Sequence, residues 1–350
     1  MSKEKLRVGV VGLTVGSVHV ADYMASGSVE ELVICDMNET KLNETGDKHG
    51  IKKRYTDFTK MLDAEKLDAV SIAVPNKLHM PLTMQAIDAG CHVLCEKPLS
   101  RNAAEAEKML HAARAHGKKL MVNFNQRFDP VHQALKTMID VGQLGDIYFA
   151  RTLWHRRRGV PWWYPLAKGK EMCGGGPLID LGVHVLDRAL WWCGFPEPEW
   201  VLGNTYCKIA GEEAKKRGLP DFDLEDMGVA MIRMKNGTLV ELEASWSSHR
   251  ENEEITTQLY GSKGGAVIQQ ICGNECATKN ELYLEIAGQQ CNVQFDTQSL
   301  PPVATIRQAF LDAILNDTEV PCTPEQGLVV NKIIDAIYQS AATGDPVKIA

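Results

Sequence analysis

Asp180, His184 and Asp187 stand four and three residues apart, directly after the run Gly174-Gly175-Gly176-Pro177. Read as a helix, the segment stacks an imidazole and two carboxylates on one face and could aim them into one cleft. An imidazole that titrates near neutrality beside a carboxylate can take a proton from a hydroxyl or return it. The same trio could also ligate a metal, or form a satisfied structural pair on a helix. The three residues by themselves leave all of these open, so the elements around them must decide.

The first third of the chain reads as a nucleotide-binding unit. Residues 6–11 form a short apolar strand ending at Gly12, a helix opens at Gly16 and runs to about Met24, and a second apolar strand, 32–35, ends in Asp36. Strand, glycine turn, helix, strand and acid is the order of a dinucleotide-binding unit, in which the acid accepts hydrogen bonds from the adenosine ribose. Gly12, Thr14, Val15 and Gly16 are then expected at the pyrophosphate and Asp36 at the ribose. The loop departs from G-x-G-x-x-G, because Thr14 stands where a second glycine belongs and the run is one residue short before Gly16. Asp36 would repel the 2′-phosphate of NADP, and neither Met37 nor Asn38 supplies the arginine that accommodates it, so NAD is the expected cofactor.

Helices over 38–48, 78–89 and 102–116 alternate with apolar strands over 69–73, 92–95 and 119–123. Short continuous apolar runs between amphipathic helices predict a parallel sheet covered on both faces, and right-handed crossovers make it doubly wound. Its ligand crevice lies outside the carboxyl ends of the strands. Pro75, Asn76 and His79, then Glu96 and Lys97, then Arg127 follow those ends and are expected in one cleft. Beyond Arg127 the rhythm changes to a helix over 130–141 and strands over 146–154, 226–234, 238–246, 254–260, 266–270 and 281–286, with Asn236-Gly237 as a hairpin turn. The fold class expected is therefore an α/β N-terminal Rossmann domain with a doubly wound parallel sheet (1–125), followed by an α+β domain with a large, mostly antiparallel, open-faced sheet (126–350).

The motifs Pro75-Asn76-Lys77-Leu78-His79, Ala89-Gly90-Cys91-His92-Val93-Leu94-Cys95-Glu96-Lys97-Pro98 and Gly174 to Asp187, with Tyr260 to Gly265 and the closing helix 331–342, occur in an order that resembles the Gfo/Idh/MocA oxidoreductases. That family includes glucose–fructose oxidoreductase, inositol dehydrogenases and many sugar dehydrogenases. The resemblance spans essentially the whole chain. It implies an NAD-dependent dehydrogenase acting on a secondary hydroxyl of a sugar, sugar acid or cyclitol. Lys97 matches the lysine beside the nicotinamide and the reacting hydroxyl. Asp180 and His184 match the substrate-side carboxylate and the acid/base histidine. Asp187 matches a further position facing the sugar, and Arg127 and His155 fall near positions that touch substrate. Pro75, Asn76, His79, Glu96 and Lys97 are expected against the cofactor.

Removing hydride from a carbinol carbon also requires removing the hydroxyl proton, so a base, a positive charge for the developing alkoxide and close positioning are needed. His184, oriented by Asp180, would be the base, and Lys97 would stabilise the oxygen. Trp154-His155-Arg156-Arg157-Arg158 and Pro161-Trp162-Trp163-Tyr164 place aromatics and arginines in the loop leading to the glycines. Trp163 suits a sugar's C–H face and Arg157 a carboxylate or phosphate, and a solvated basic loop is the competing reading. Two other functions compete with the dehydrogenase: a non-catalytic NAD- or sugar-binding regulator of the same fold, and a metal-dependent hydrolase or aldolase ligated by Asp180, His184 and Asp187. The second leaves Asp36 and the nucleotide-like half unexplained, and no metal is expected.

With 350 residues, 44% hydrophobic and 24% charged, the chain can bury two cores. No apolar run approaches the roughly 20 residues of a membrane span, and the start of the chain runs into the first strand without a signal peptide, so no membrane and a cytoplasmic location are expected. The ten cysteines include no C-x-x-C, and reduced thiols are the simplest expectation, Cys272 and Cys276 included. A net charge of −7 argues against nucleic acid. In 228–234, Val229 and Met231 alternate with Ala230, Ile232 and Met234, so both faces of that strand carry apolar residues. A homodimer or homotetramer joined through this sheet is the assembly expected.

Overall fold

The computed structural model describes residues 4–162 and 169–349. They form two compact units, one of 1–125 with 304–328, the other of 126–303 with 329–350.

In the first unit, six parallel strands lie in the order Arg54–Tyr55, Val29–Cys35, Leu6–Val11, Ala69–Ile72, His92–Cys95 and Leu120–Val122. The order reverses between Leu6–Val11 and Ala69–Ile72, the switch point at which such sheets bind ligands. Ala69–Ile72 is buried along its whole length and His92–Cys95 nearly so, as expected of strands covered on both faces. Local chemistry sets the intervening helices. The Asn38 side chain accepts from Lys41 N to start Glu39–His49, and Gly50, at φ +68°, ends it. Asn102 caps Ala103–Ala115 in the same way.

The second unit holds a nine-stranded sheet in the order Gln289–Gln294, Cys276–Ile286, Gly264–Cys272, Glu253–Gly261, Ile147–His155, Leu239–Ser245, Met227–Met234, Pro198–Tyr206 and Val347–Lys348. Every pairing is antiparallel except that of Leu239–Ser245 with Ile147–His155. Gly237, at φ +95°, makes the turn expected between Met227–Met234 and Leu239–Ser245. Ala230, Ile232, Val240, Leu242 and Ala244 are buried on one face, where the segment 178–192 lies: Thr152 Oγ1 donates to Val185 O at 3.2 Å, and a Cβ on Gly182 would be 3.3 Å from Ala244 Cβ. The opposite face carries half-buried Val229 and Met231 beside an ion-pair ladder, Arg151 to Glu241 and Glu243.

Four expectations change. The single boundary near 125 misses that 304–328 returns to the first unit, where Val122 N donates to Cys322 O and Arg307 reaches Asp22. The strands Pro198–Tyr206, Gln289–Gln294 and Val347–Lys348 were not anticipated; in Gln289–Gln294 nearly every residue is exposed, so no apolar alternation announced it. Cys272 and Cys276 form a disulfide rather than two thiols, because the hairpin register sets them opposite each other with Cα atoms 4.1 Å apart. The segment after the three glycines is not uniformly α-helical: Leu178–Gly182 is a turn of π-helix, with Val183 N donating to Leu178 O, before the α-helix Val183–Trp192.

Candidate functional site

In the first unit the glycine loop lies at the switch point. Gly12 takes φ +84°, and a Cβ there would stand 2.3 Å from Ala73 O, so only glycine makes this turn. At Gly16 a Cβ would meet Val10 and Ala73 at 3.0 and 3.2 Å, which lets the helix Gly16–Ala25 lie close on the sheet. Thr14 and Val15 are exposed between them. The helix starts without a capping side chain and without an acid in its first turn, leaving N–H donors and a positive dipole end for an anion. Asp36 Oδ2 accepts from Leu13 N at 2.7 Å and Oδ1 from Asn38 N at 2.8 Å, so the acid closes over the loop. Lys41, which no spacing singles out, donates to Thr14 Oγ1 at 2.6 Å and adds a cation where the second glycine is missing. Uncapped helix, exposed loop, acid and lysine are a donor set that suits a dinucleotide diphosphate and ribose.

The loops after the next strands fall into two kinds. Pro75 and Asn76 are half-buried and start a 3₁₀ turn, Asn76–Leu78. His79, expected at the cofactor, is instead 1% exposed, with Nε2 2.9 Å from Val74 O and Nδ1 2.8 Å from Pro98 O. Burial pushes its pKa down while the carbonyls on both sides of the ring oppose that shift, and the ring ties the two loops together. Glu96 is likewise engaged inside the unit. Its carboxylate receives His19 Nε2 at 2.9 Å, Asn123 Nδ2 at 2.5 Å and Lys97 N at 3.1 Å. Burial alone would raise its pKa; the His19 hydrogen bond and charge, with Lys97, outweigh it and hold the group at about 2. Arg307 extends this network, donating to Asn123 Oδ1 at 3.3 Å and Asp22 Oδ2 at 2.8 Å. Glu96 therefore fixes the main chain of Lys97, whose side chain stays half-buried.

In the second unit, from Gly175 to Leu190 every residue is buried except Asp180 and His184, which are partly accessible. Asp180 Oδ2 accepts from Trp246 Nε1 at 2.9 Å. The His184 ring lies 5.6 Å from the ring of Trp154, whose Nε1 donates to Glu253. Asp187 does not join them. One helical step onward it is 1% exposed and meets Arg127, with Nε to Oδ2 at 2.9 Å and Nη2 to Oδ1 at 2.5 Å. Both were expected at substrate; the structure spends each on the other, with the Arg127 guanidinium over Phe195 at 5.0 Å. His155, expected to touch substrate, is buried with Nε2 3.3 Å from Glu243 on the opposite face of the sheet. The close approach of His155, together with Arg151 and against desolvation, brings the Glu243 pKa to about 2.

Arg157 Nη1 donates to Glu251 O at 3.2 Å and Arg158 Nη1 to Ser248 O at 3.0 Å, which zips 156–158 to 248–251. Trp163 lies outside the described residues. Among the described residues no group of three or more His, Cys, Asp or Glu side chains is placed to hold a metal ion, and no helix is long and apolar enough to cross a membrane. Sequence reasoning missed His19, Asn123, Trp246, Glu225 and Tyr338. They reach the site residues from distant segments, and no spacing signals that.

Comparison with known proteins agrees with this geometry. Residues 6–124 match the family model described as an oxidoreductase family NAD-binding Rossmann fold, and 136–349 match the C-terminal alpha/beta domain of the same family, Gfo/Idh/MocA. D-glucoside 3-dehydrogenase of Escherichia coli (strain K12) is 31% identical over 361 residues, covering 100% of this chain and 99% of that one. Myo-inositol 2-dehydrogenase of Thermotoga maritima is 28% identical, covering 74% of each. Among solved structures, levoglucosan dehydrogenase in complex with NADH superposes with a TM-score of 0.82 at 25% identity, covering 99% of both chains.

Proposed function

We propose, from the premise that this chain belongs to the Gfo/Idh/MocA oxidoreductase family and is an NAD(P)-dependent dehydrogenase of CH–OH groups, that it oxidises one secondary hydroxyl of a polyhydroxylated ring, a sugar, sugar acid or cyclitol, to the ketone. The observation that carries this reading is the exposure pattern of 175–190, where a buried segment presents Asp180 and His184 alone. The dinucleotide supplies the hydride acceptor. His184 takes the hydroxyl proton, Asp180 stabilises the imidazolium that forms, and the Lys97 ammonium supports the alkoxide as negative charge develops on oxygen. Hydride leaves carbon, the proton leaves oxygen, and the C=O bond forms between them. The ring class is supported by the names of relatives that act on a glucoside, levoglucosan and myo-inositol.

Steady-state assays of the purified protein with NAD and NADP against glycosides, anhydrosugars, inositols, aldoses and uronates test the proposal. Reduction of NAD by at least one of these is expected. No turnover with any ring polyol, or turnover that survives loss of the ring hydroxyls, rejects it. A uronate preference abolished by Arg157→Ala would assign that guanidinium to substrate, whereas indifference leaves it in the zipped loops.

NAD is the proposed cofactor, because the Asp36 carboxylate, held beside the glycine loop by two backbone donors, would repel a 2′-phosphate. Calorimetry is expected to show tighter binding of NAD than of NADP. Asp36→Ala narrows the difference by removing the repelling charge; tighter NADP binding by the wild type refutes the assignment.

The second proposal is a homo-oligomer joined through the open sheet face. Val229 and Met231 are only half-buried there, while the face carrying Ala230 and Ile232 is already covered. Light scattering should give at least a dimer at micromolar concentration, and Met231→Lys should weaken it. A monomer at all concentrations excludes this surface.

A further inference from the structure

Three glycines precede Asp180 and His184, and φ explains only one of them: Gly174 sits at +87°, a conformation costly for other residues. The other two are crowded by side chain and backbone from elsewhere in the unit. A Cβ on Gly175 would fall 1.9 Å from Tyr338 Oη, and one on Gly176 would fall 2.2 Å from Glu225 O. The crowding has a purpose in hydrogen bonds. The buried Glu225 carboxylate accepts from Gly176 N at 2.9 Å, Leu178 N at 3.3 Å and Tyr338 Oη at 2.8 Å. Gly176 O in turn accepts from Ile179 N at 3.1 Å and Asp180 N at 3.0 Å, so the carboxylate holds the first turn of the segment that presents Asp180.

The neighbouring residue fixes the other side. Asp226 O accepts from Trp246 N at 2.9 Å, and the indole of Trp246 donates to Asp180. Asp226 is itself pinned, its Oδ2 accepting from Ile209 N and Ala210 N at 2.6 and 2.8 Å. Two consecutive residues therefore set the Asp180 backbone through Glu225 and the Asp180 carboxylate through Asp226 and Trp246. The turn they hold is π-helical, a local departure from α-helix that is common at functional sites. Burial raises the pKa of Glu225 against the backbone and tyrosine donors, and burial first, then the Glu225 charge, raises that of Tyr338. Such a buried carboxylate is costly for a fold that needs only a helix start, which Ser, Thr or Asn would cap at the surface.

We propose that Glu225 and Tyr338 are positioning residues of the dehydrogenase: they set the π-turn so that Asp180 faces His184 in the orientation proton transfer requires. This rests on the assignment of His184 as the base. Their loss acts through His184. A misplaced Asp180 stabilises the imidazolium less, so the base becomes weaker and its apparent pKa falls.

The test uses Tyr338→Phe, which removes one hydroxyl and keeps the ring, and Glu225→Gln, which removes the charge and keeps the shape, with His184→Ala in parallel. Expected results are a fall in kcat of about tenfold or more for Glu225→Gln and a smaller one for Tyr338→Phe, since small misplacements of reacting groups can cost up to about a hundredfold. NAD affinity should not change, and the acidic limb of the kcat/KM profile should move to lower pH. A merely structural role would lower the melting temperature and the active fraction but leave the pH profile and the kcat per folded molecule as in the wild type, and that result overturns the proposal. If Glu225→Gln fails to fold, Tyr338→Phe decides by the same profile. Near-normal turnover by His184→Ala overturns the base assignment and this proposal with it. An inactive His184→Ala beside wild-type profiles for the other two overturns the positioning role alone.

Discussion

Turnover of Lys97→Ala and of His184→Ala falls by about a hundredfold or more on a good substrate, the usual scale for a general acid–base group. Each variant loses a different part of the step. Without His184 the hydroxyl proton has no acceptor, and the loss should lessen as solvent hydroxide takes over at high pH. Without Lys97 the developing alkoxide loses a charge-assisted donor, so the loss persists across the pH range. NAD binding should survive better than catalysis in both, because the glycine loop, Asp36 and Lys41 are untouched. His184 lies in the other unit, and the Lys97 main-chain N–H donates to Glu96 at 3.1 Å. Pre-steady-state rates with ring-deuterated substrate show whether the hydride step itself has slowed. Near-normal turnover by either variant on a substrate the wild type uses well sinks its assignment.

Breaking the Arg127–Asp187 pair costs stability rather than specificity. Both side chains are almost fully buried, and removing one partner leaves the other's charge uncompensated, an effect of about 3–5 kcal/mol. Arg127→Met should lower the denaturant midpoint at unchanged slope, with KM for the sugar little altered in the molecules that remain folded. The sign of the pH dependence follows from Asp187, whose pKa burial raises more than Arg127 lowers it. A carboxyl with a folded pKa above its unfolded value binds protons preferentially in the native state. Its penalty is absent below the unfolded value and grows as pH rises through the folded one. In Arg127→Met the larger lowering influence is gone and only the Arg188 charge remains, so the destabilisation should shrink on acidification from neutrality. A double replacement by apolar residues of matching volume should recover much of the loss, as buried ion pairs often allow. Unchanged stability with a raised KM would instead return Arg127 to the substrate.

The sequence by itself determined the class of the protein and the kind of chemistry. Short continuous apolar runs between amphipathic helices read as strands covered on both faces, glycines at 12 and 16 meet steric demands read from local order, and Asp36 follows its strand at the right distance. These are signals of short range, carried by neighbours along the chain. The alternation of 228–234 and the Asn236-Gly237 turn were legible for the same reason.

The allocation of polar residues was decided only by tertiary structure. Helical spacing grouped Asp180, His184 and Asp187, yet the π-turn and a buried guanidinium sixty residues away drew Asp187 out of the set. His79 and Glu96 follow strand ends as cofactor ligands would, but a buried histidine or carboxylate must find partners, and each found them inside the fold. Cys272 and Cys276 paired because a hairpin register set them opposite each other. Glu225, Trp246 and Tyr338 carry no local mark at all. A polar side chain's role depends on what else is buried beside it, and that is a property of the assembled core, not of the spacing along the chain.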